Sequence, residues 1–308
     1  MYHGIINVYK EPGYTSHDVV ARLRGILKQK KIGHTGTLDP AAEGVLPVCL
    51  GAGTRLCDML TDRSKTYEAV LLLGCMTDTQ DTTGTIIREN RERAMTLTED
   101  QVREAVFHFL GDYGQIPPMY SALKVGGKKL YELARAGKEV ERAARRVQIL
   151  DIQILEMDLP RVRLLVSCSK GTYIRTLCHD IGERLGCGGA MEHLKRTRVA
   201  GFHIEDSRTL DQIEALRDQG KIDQILVPLE KALEDYPPLS CLPEGDSLLK
   251  NGNPCFAGQI HWKEESSKDR QTDGQRFRMY DSRGNFIGVY EYQEEKGWWK
   301  PWKMFHTL

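Results

Sequence analysis

Residues 162–186, VRLLVSCSKGTYIRTLCHDIGERLG, hold a strand pattern, a polar turn and a helix pattern in immediate succession. Every second residue from Val162 to Cys168 is apolar, which is typical of a strand with one buried face. Ser169-Lys170-Gly171 ends this strand, and Thr172 is the expected N-cap of the helix. The helix has an apolar face and a closing glycine, given by Ile174, Leu177, Ile181, Leu185 and Gly186. This stretch therefore predicts a sheet with a helix packed on it.

The segments before this stretch predict more strands of the same sheet. Residues 147–154 carry apolar residues at strand spacing and are the expected partner of strand 162–168. Residues 65–74, KTYEAVLLLG, predict a further strand. Because strands and helices alternate without a repeated strand–helix–strand unit, we expect an α+β fold. Its core is a largely antiparallel mixed sheet flanked by helices.

Two helices are predicted to begin at N-terminal signals. Ser16 is the expected N-cap of a helix whose apolar residues follow at positions 19, 20, 23, 26 and 27. Thr98 and Gln101 form a capping-box pattern ahead of a second apolar series. Gly111 is the expected stop of that second helix.

The composition is that of an ordinary globular protein. The 308 residues are 40% apolar and 28% charged, with zero net charge, and leave room for one large and one smaller domain. No stretch of about 18 apolar residues occurs, and the N-terminus has no basic and apolar leader, so we expect a cytoplasmic protein. Eight cysteines without C-x-x-C spacing predict reduced, buried thiols and no metal site.

Charge is distributed unevenly along the chain. Between Tyr120 and Arg146 there are eight basic and three acidic residues, whereas residues 205–235 hold four basic and nine acidic ones. Either both segments are solvated surfaces, or the basic one meets phosphates. We call residues 115–146, which include Gly126, Gly127 and Gly137, the basic excursion. A boundary at Tyr236 predicts two domains, 1–235 and an all-β module at 236–308.

Asp39 lies in a segment with too many turn formers for a helix, Gly33-His34-Thr35-Gly36-Thr37-Leu38-Asp39-Pro40. Pro40 restricts the backbone of the residue before it, so the Asp39 carboxylate is presented in one direction. A fixed carboxylate on a loop can act as a nucleophile, a general base or a metal ligand. The alternative is an aspartate that caps the turn after it.

Residues 33–48, GHTGTLDPAAEGVLPV, resemble the catalytic-Asp motif of the TruB family, the bacterial tRNA pseudouridine synthases that modify uridine 55 in the T loop. The resemblance spans about residues 4–208 and continues in order through SKTY (64–67), QIPPMYSALKVGG (115–127) and CSKGTYIRT (168–176). The module at 236–308 resembles the RNA-binding PUA domain. One departure is Lys10-Glu11-Pro12-Gly13, where the family has Lys-Pro-x-Gly.

The resemblance implies a pseudouridine synthase fold with a small PUA-like barrel, and an isomerase that acts on a flipped-out uridine. Such an enzyme breaks the N1–C1′ bond, turns the uracil and joins C5 to C1′. Because no atom is gained or lost, no cofactor is expected. The implied partner is the T stem-loop of tRNA, with no membrane and no obligate protein partner, and we expect a monomer. Attack on C6, attack on C1′ and removal of the C2′ proton remain open as routes.

The resemblance also assigns site residues. Asp39 is the implied nucleophile, Arg175 the arginine that pairs with it, and Tyr67 the aromatic residue that stacks on the base and handles a proton. His34 would enter the T loop, and the basic excursion would grip the RNA. The full set of implied substrate-binding residues is Lys10, His34, Tyr173, Leu194, Lys124, Lys128 and Lys129.

Three other functions compete with this one. A non-enzymatic RNA-binding or tRNA-folding protein would not need Asp39, Tyr67 and Arg175 together. A retaining glycosidase or nucleoside hydrolase would need a second carboxylate at the site, and Glu43 is the nearest in sequence. A related synthase that acts on ribosomal or guide-directed RNA would share the same catalytic residues.

Overall fold

The computed structural model describes residues 1–263 and 271–305, which form two main sheets with helices around them. The strands are β1 (Gly4–Lys10), β2 (Ile32–His34), β3 (Glu43–Leu50), β4 (Lys65–Leu73), β5 (Cys75–Thr77), β6 (Ile86–Glu89), β7 (Gly111–Gln115), β8 (Lys124–Val125), β9 (Lys128–Lys129), β10 (Arg145–Asp158), β11 (Arg161–Cys168), β12 (Gly189–Val199), β13 (Phe202–His203), β14 (Leu226–Val227), β15 (Pro238–Cys241), β16 (Cys255–Phe256), β17 (Ile260–Trp262), β18 (Arg276–Tyr280), β19 (Phe286–Gln293) and β20 (Trp298–Met304). The helices are α1 (Ser16–Leu27), α2 (Cys57–Thr61), α3 (Arg91–Met95), α4 (Glu99–Phe107), α5 (Leu130–Arg135), α6 (Ile174–Arg184), α7 (Leu210–Asp218) and α8 (Asp246–Lys250).

The larger sheet has the strand order β14-β1-β3-β12-β4-β11-β10-β7, with β2 beside β3 and β13 beside β12. Its strand pairs are antiparallel except β12 with β3, which run parallel. The predicted α+β fold on a largely antiparallel mixed sheet is therefore confirmed. The parallel pair matters for the site, because it places the end of β12 against the start of β3, directly after Asp39.

Two groups of helices cover the sheet. Helices α4 and α6 pack their apolar faces on β4, β10 and β11, and this cluster includes Leu38 and Tyr67. Helices α1 and α7 pack on β1 and β3. Because successive strand residues alternate between faces, the inward residues of β4 include Tyr67, Ala69 and Leu71.

Several predicted helix boundaries are confirmed and others are wrong. The Thr98–Gln101 capping box is present as predicted, but α4 ends at Phe107, and Gly111 begins β7. The N-cap of α1 is Thr15, whose side chain accepts from the Asp18 backbone N–H, so Ser16 is the first helical residue. Ser16 instead accepts a hydrogen bond from the Leu38 N–H at 2.9 Å, which ties α1 to the Asp39 loop.

The predicted cap of α6 is also wrong. The N-cap residue is Tyr173, and the Thr172 hydroxyl donates to the Ser169 carbonyl at 3.0 Å. The Gln115 side chain holds the backbone of the N-cap residue instead, since it accepts from the Tyr173 N–H at 2.8 Å and donates to the Tyr173 carbonyl at 3.0 Å. The segment predicted as a loop from Gly33 begins differently too, because Gly33 and His34 belong to β2.

The second sheet has the order β16-β20-β19-β18-β15-β17 around its own apolar core, and this core also includes Leu249 of the short helix α8, so residues 236–308 are not purely β as predicted. The segment with β19 and β20 also packs on the part of the chain with the larger sheet. Val289 and Phe305 join Ile5, Cys49 and Leu56 in one buried cluster. The two parts therefore share an apolar core where they meet.

Seven of the eight cysteines are buried and all eight are free thiols. In the described ranges, 1–263 and 271–305, no helix has the length and apolar character needed to cross a membrane.

Candidate active site

The Asp39 loop is held by backbone contacts on both sides. The Ala42 N–H donates to the Asp39 carbonyl at 3.1 Å and closes the turn through the main chain. The Gly13 N–H donates to the Pro40 carbonyl at 2.9 Å, so the segment with the displaced proline touches the loop directly. With the turn closed in this way, the Asp39 carboxylate is free to face Arg175.

Arg175 holds the Asp39 carboxylate at two points. Its Nε lies 2.9 Å from one carboxylate oxygen, and its Nη2 lies 3.4 Å from the other. The arginine side chain is only 6% exposed, whereas the aspartate side chain is 40% exposed. The cation is therefore a buried, oriented support, and the anion faces outward where a substrate can reach it. In the free chain, the Asp39 carboxylate is therefore open to water.

Two backbone carbonyls fix the Arg175 guanidinium in place. Its Nη1 donates to the Thr79 carbonyl and its Nη2 to the Tyr120 carbonyl, each at 2.9 Å. Thr79 lies in the loop after β5, and Tyr120 lies in the basic excursion. Because both segments bond to this guanidinium, a change in either can reorient the arginine that holds Asp39.

Sequence reasoning missed Asp81, the second carboxylate of the site. Its carboxylate lies 3.8 Å from Nη1 of Arg175, and its side chain is 14% exposed. One of its oxygens accepts from the Thr79 hydroxyl at 2.8 Å and from the Thr83 N–H at 3.0 Å. The sequence signal was only a run of turn formers, TDTQDTTG, which does not predict that this turn folds back onto α6.

Tyr67 lies on β4 with its ring in the apolar cluster that includes Leu38, Ile174 and Leu194. The side chains of Tyr67 and Leu194 are both buried. Burial raises the pKa of the Tyr67 phenol, and the charge of the Arg196 guanidinium opposes that rise. The structure thus brings Tyr67 and Leu194 to the wall behind the Asp39 loop.

Tyr173 is half-buried at the start of α6, two residues before Arg175. Burial raises the pKa of its phenol, and both the Ser121 hydroxyl and the Arg175 charge oppose the rise. The Tyr173 ring is therefore at the same site as Arg175, at the contact between α6 and the basic excursion.

Lys10 is fully buried beneath the loop. Its ammonium donates to the Ala42 carbonyl, and to the carbonyls of Pro40 and Glu11 at 3.2 Å each. Burial lowers the pKa of Lys10 to about 8, against the opposing pull of Asp39. These contacts show Lys10 supporting the loop backbone, while its implied contact with substrate stays a prediction.

His34 lies on β2 with its ring edge-on to His17, at 5.2 Å between centroids. Its Nδ1 accepts from the Gly36 N–H at 3.3 Å. Burial lowers the pKa of His34, and the His17 and Arg196 charges lower it further. The ring therefore sits at the start of the Asp39 loop and favours the neutral form.

The three lysines of the basic excursion lie apart from this cluster. Lys124 and Lys129 pair across a short hairpin of β8 and β9, and Lys128 lies beside the Gly126-Gly127 turn. Lys124 and Lys128 are exposed, and Lys129 is partly exposed. The excursion reaches the site through the Tyr120 carbonyl rather than through these side chains.

Arg196 is the second residue that sequence reasoning missed. It is buried to 1% exposure on β12, where it pairs with Gly44 of β3 on one side and with Tyr67 of β4 on the other. A Cβ at Gly44 would lie 2.2 Å from the Arg196 carbonyl oxygen, so only glycine allows this approach. The only signal was an arginine at an inward position of an alternating strand.

The chain matches two family models. Residues 24–174 match the TruB family pseudouridylate synthase N-terminal domain, and residues 175–234 match the tRNA pseudouridylate synthase B C-terminal domain. It is 51% identical to the tRNA pseudouridine synthase B of Lachnoclostridium phytofermentans, over 98% of this chain and 99% of the relative. The corresponding protein of Clostridium acetobutylicum is 40% identical over 95% of this chain and 96% of its own.

Two solved structures are similar to this chain in fold. A chain of an H/ACA RNP bound to a substrate RNA containing 2′-deoxyuridine is 25% identical, with a TM-score of 0.73 over 99% of this chain and 86% of the other. A chain of the archaeal box H/ACA sRNP Nop10-Cbf5 complex is 26% identical, with a TM-score of 0.72 and the same coverage, 99% and 86%.

Proposed function

The chain belongs to the TruB family of pseudouridylate synthases, and we propose that it converts uridine 55 in the T loop of tRNA to pseudouridine. Its relatives at 40–51% identity are named tRNA pseudouridine synthase B, and this name denotes the isomerisation of uridine in tRNA. The choice of position 55 is a proposal that rests on the sequence motif around Asp39.

The two-point contact between Arg175 and Asp39 carries this proposal. A carboxylate that must act as a nucleophile or base needs to stay ionised while a substrate displaces water around it. The buried guanidinium supplies a counter-charge that does not depend on solvent, at 2.9 and 3.4 Å. Since 40% of the Asp39 side chain is exposed, a flipped uridine can reach the carboxylate and cover it.

The remaining residues fit around that uridine. Tyr67 and Leu194 supply an apolar wall for the uracil ring, and Tyr173 lines the side next to Arg175. The isomerisation breaks one C–N bond, forms one C–C bond and moves one proton from C5 to a ring nitrogen. Asp39 attacks C6 or C1′, or removes the C2′ proton, and Tyr67 is placed to handle the C5 proton.

The basic excursion supplies phosphate contacts in this proposal. Its exposed lysines carry charge toward solvent at a segment that also bonds to Arg175. Such contacts position an RNA without reading its sequence. We further propose that residues 1–235 form the catalytic domain and 236–308 an RNA-binding module, and that the protein is a cytoplasmic monomer that uses no cofactor.

One observation favours a second candidate, a synthase that acts on another RNA. The similarity to a chain of an H/ACA RNP extends over 99% of this chain. A relative at 51% identity, twice the 25% of that chain, is named for tRNA, which is why tRNA is the first candidate substrate. A glycosidase is less well supported, because the second carboxylate, Asp81, bonds to its own turn and shares Arg175 with Asp39.

The test is a modification assay with the full chain and an unmodified tRNA transcript. We expect pseudouridine at position 55 and none in a transcript with cytidine there. Asp39→Asn should abolish turnover and leave tRNA affinity within about threefold, since phosphate contacts elsewhere carry binding. Asp211→Asn, at an exposed aspartate of α7, is the matched control and should act like the wild type. Product only in ribosomal or guide-paired RNA would support the second candidate, and turnover by Asp39→Asn would contradict the catalytic assignment.

A further inference from the structure

Arg196 is a buried cation without a carboxylate partner in the part of the chain that the structure describes. Its Nε donates to the Val45 carbonyl at 2.7 Å, and its Nη2 lies 3.4 Å from the Gly36 carbonyl. Those two carbonyls flank the Asp39 loop on either side. Burying an unpaired guanidinium lowers stability. If the only task were to hydrogen-bond the two ends of this loop, a neutral donor would be more favourable.

Arg196 also has a cross-strand neighbour, Tyr67. Arg196 and Tyr67 are direct partners across the antiparallel pair of β12 and β4, so their side chains leave the same face of the sheet. Both side chains are buried, and the Arg196 charge acts on the phenol by opposing the rise of its pKa. Arg196 therefore connects the Asp39 loop to the aromatic residue of the site.

We propose that Arg196 is a positioning residue that orients the Tyr67 hydroxyl and stabilises its ionised form while Tyr67 accepts the C5 proton of the uracil. This inference rests on the proposed function. The proton passes from C5 to the phenolate oxygen and then to a ring nitrogen of the base, directly or through solvent, so Tyr67 ends the cycle as it began.

The surroundings of Tyr67 explain why such help is needed. A buried phenol strongly prefers its neutral form, because burial raises its pKa. A neutral phenol cannot accept a proton at neutral pH, and the nearby Asp39 charge disfavours ionisation further. Among the charges that act on Tyr67, that of Arg196 is the one that lowers the pKa of the phenol and so favours the phenolate.

The experiment is a double-mutant cycle on single-turnover rates with saturating tRNA. Arg196→Lys should lower the rate by at least about 30-fold in the wild-type background, because an ammonium cannot reach the phenol and both carbonyls at once. In the Tyr67→Phe background the same substitution should lower the rate by less than about threefold. Equal losses in both backgrounds would overturn the proposal, because Arg196 would then act only on the loop.

Arg198→Lys is the matched control. Arg198 lies on the same strand opposite Thr66, and its Nε donates to the Thr66 hydroxyl at 3.2 Å. Its substitution should leave the rate within about twofold and show no coupling to Tyr67→Phe. A loss as large as that of Arg196→Lys would mean that any arginine change on β12 disturbs the site, and would contradict a specific role.

A second measurement does not need an Arg196 variant that folds. In protein labelled with ¹⁵N-arginine, the slowly exchanging Nε–H signals of buried arginines should include one that shifts on Tyr67→Phe and stays unchanged on Thr66→Val. No shift would overturn the Arg196–Tyr67 contact. If the wild type makes no pseudouridine in any RNA, the proposed function fails by that assay alone, and the NMR result still decides whether the contact exists.

Discussion

The Asp39 loop and the basic excursion use cations in opposite surroundings. Lys10, Arg175 and Arg196 are buried around the loop and bond to backbone carbonyls, and Arg175 also bonds to Asp39. Lys124 and Lys128 of the excursion are exposed on a short hairpin. A buried cation fixes the backbone around it, whereas an exposed cation remains available to a phosphate. The comparison predicts that changes at the loop affect the rate and changes at the excursion affect RNA affinity.

Arg175→Lys should cause the largest effect among these substitutions. A lysine cannot hold both carboxylate oxygens, so we expect a loss of about 10²–10³-fold in the single-turnover rate. Arg142→Lys is the matched control, because Arg142 also donates to a backbone carbonyl, that of Pro117 at 3.3 Å, but within the excursion. A rate within a few-fold of wild type for Arg175→Lys would remove the distinction between the two regions.

Lys10→Met separates loop support from substrate contact. If the buried ammonium acts on the Ala42 and Pro40 carbonyls, its loss should lower kcat by about tenfold and change KM by less than about threefold. If Lys10 instead contacts RNA, as the resemblance implies, the substitution should raise KM and leave kcat unchanged. Steady-state kinetics on one tRNA transcript distinguish the two outcomes.

Replacing Lys124, Lys128 and Lys129 together by alanine should weaken tRNA binding and spare kcat. Each lost phosphate contact should reduce the salt dependence of binding by about 0.7–0.9 in the log–log slope. Binding at four salt concentrations measures that slope, and kcat is taken at saturating tRNA. A lower kcat with an unchanged slope would mean that the hairpin supports the site instead of gripping RNA.

The smallest expected effect is a difference in pH dependence between a buried and an exposed lysine. The pKa of Lys10 is about 8 in the folded chain, below the roughly 10.4 of an unfolded lysine. A lowered pKa contributes stability that is complete above the unfolded value and is lost as the pH falls through the folded value. The free energy of unfolding of the wild type should therefore rise by about 1–3 kcal/mol relative to that of Lys10→Met from pH 7.5 to 10.

Chemical unfolding at the two pH values measures this difference. Lys124→Met is the control, because Lys124 is exposed and should show no such change. If the difference in unfolding free energy between wild type and Lys10→Met does not change with pH, Lys10 stays charged from pH 7.5 to 10, and its hydrogen bonds offset the cost of burying the charge.

Local patterns predicted those parts of the fold that depend on neighbouring residues. The strands around residues 147–168 and the Thr98 capping box follow from contacts within a few positions, and both are confirmed. The cap of α6 could not be predicted in this way, because its partner, Gln115, is 58 residues from Tyr173. Thr172 has the right residue type for a cap, but its hydroxyl donates to the Ser169 carbonyl instead.

The same distinction between local and distant contacts applies to the candidate active site. Asp39, Tyr67 and Arg175 lie in motifs that could be recognised in the sequence, and the structure brings all three to one place. Arg196 reaches the carbonyl of Gly36 across 160 residues, and Asp81 meets Arg175 only because its turn folds back on α6. Such contacts depend on strand order, which residue patterns do not determine.

The apolar cluster shared by the two parts of the chain affects how the protein is made. Ile5, Cys49 and Leu56 are translated early, yet Val289 and Phe305, which complete their cluster, emerge from the ribosome some 230–300 residues later. Until then the nascent N-terminal part of the chain keeps that apolar surface uncovered, a state that favours aggregation or chaperone binding. Slow translation of the last strands should therefore lower the yield of folded protein, even though every residue of the candidate active site has already been synthesised.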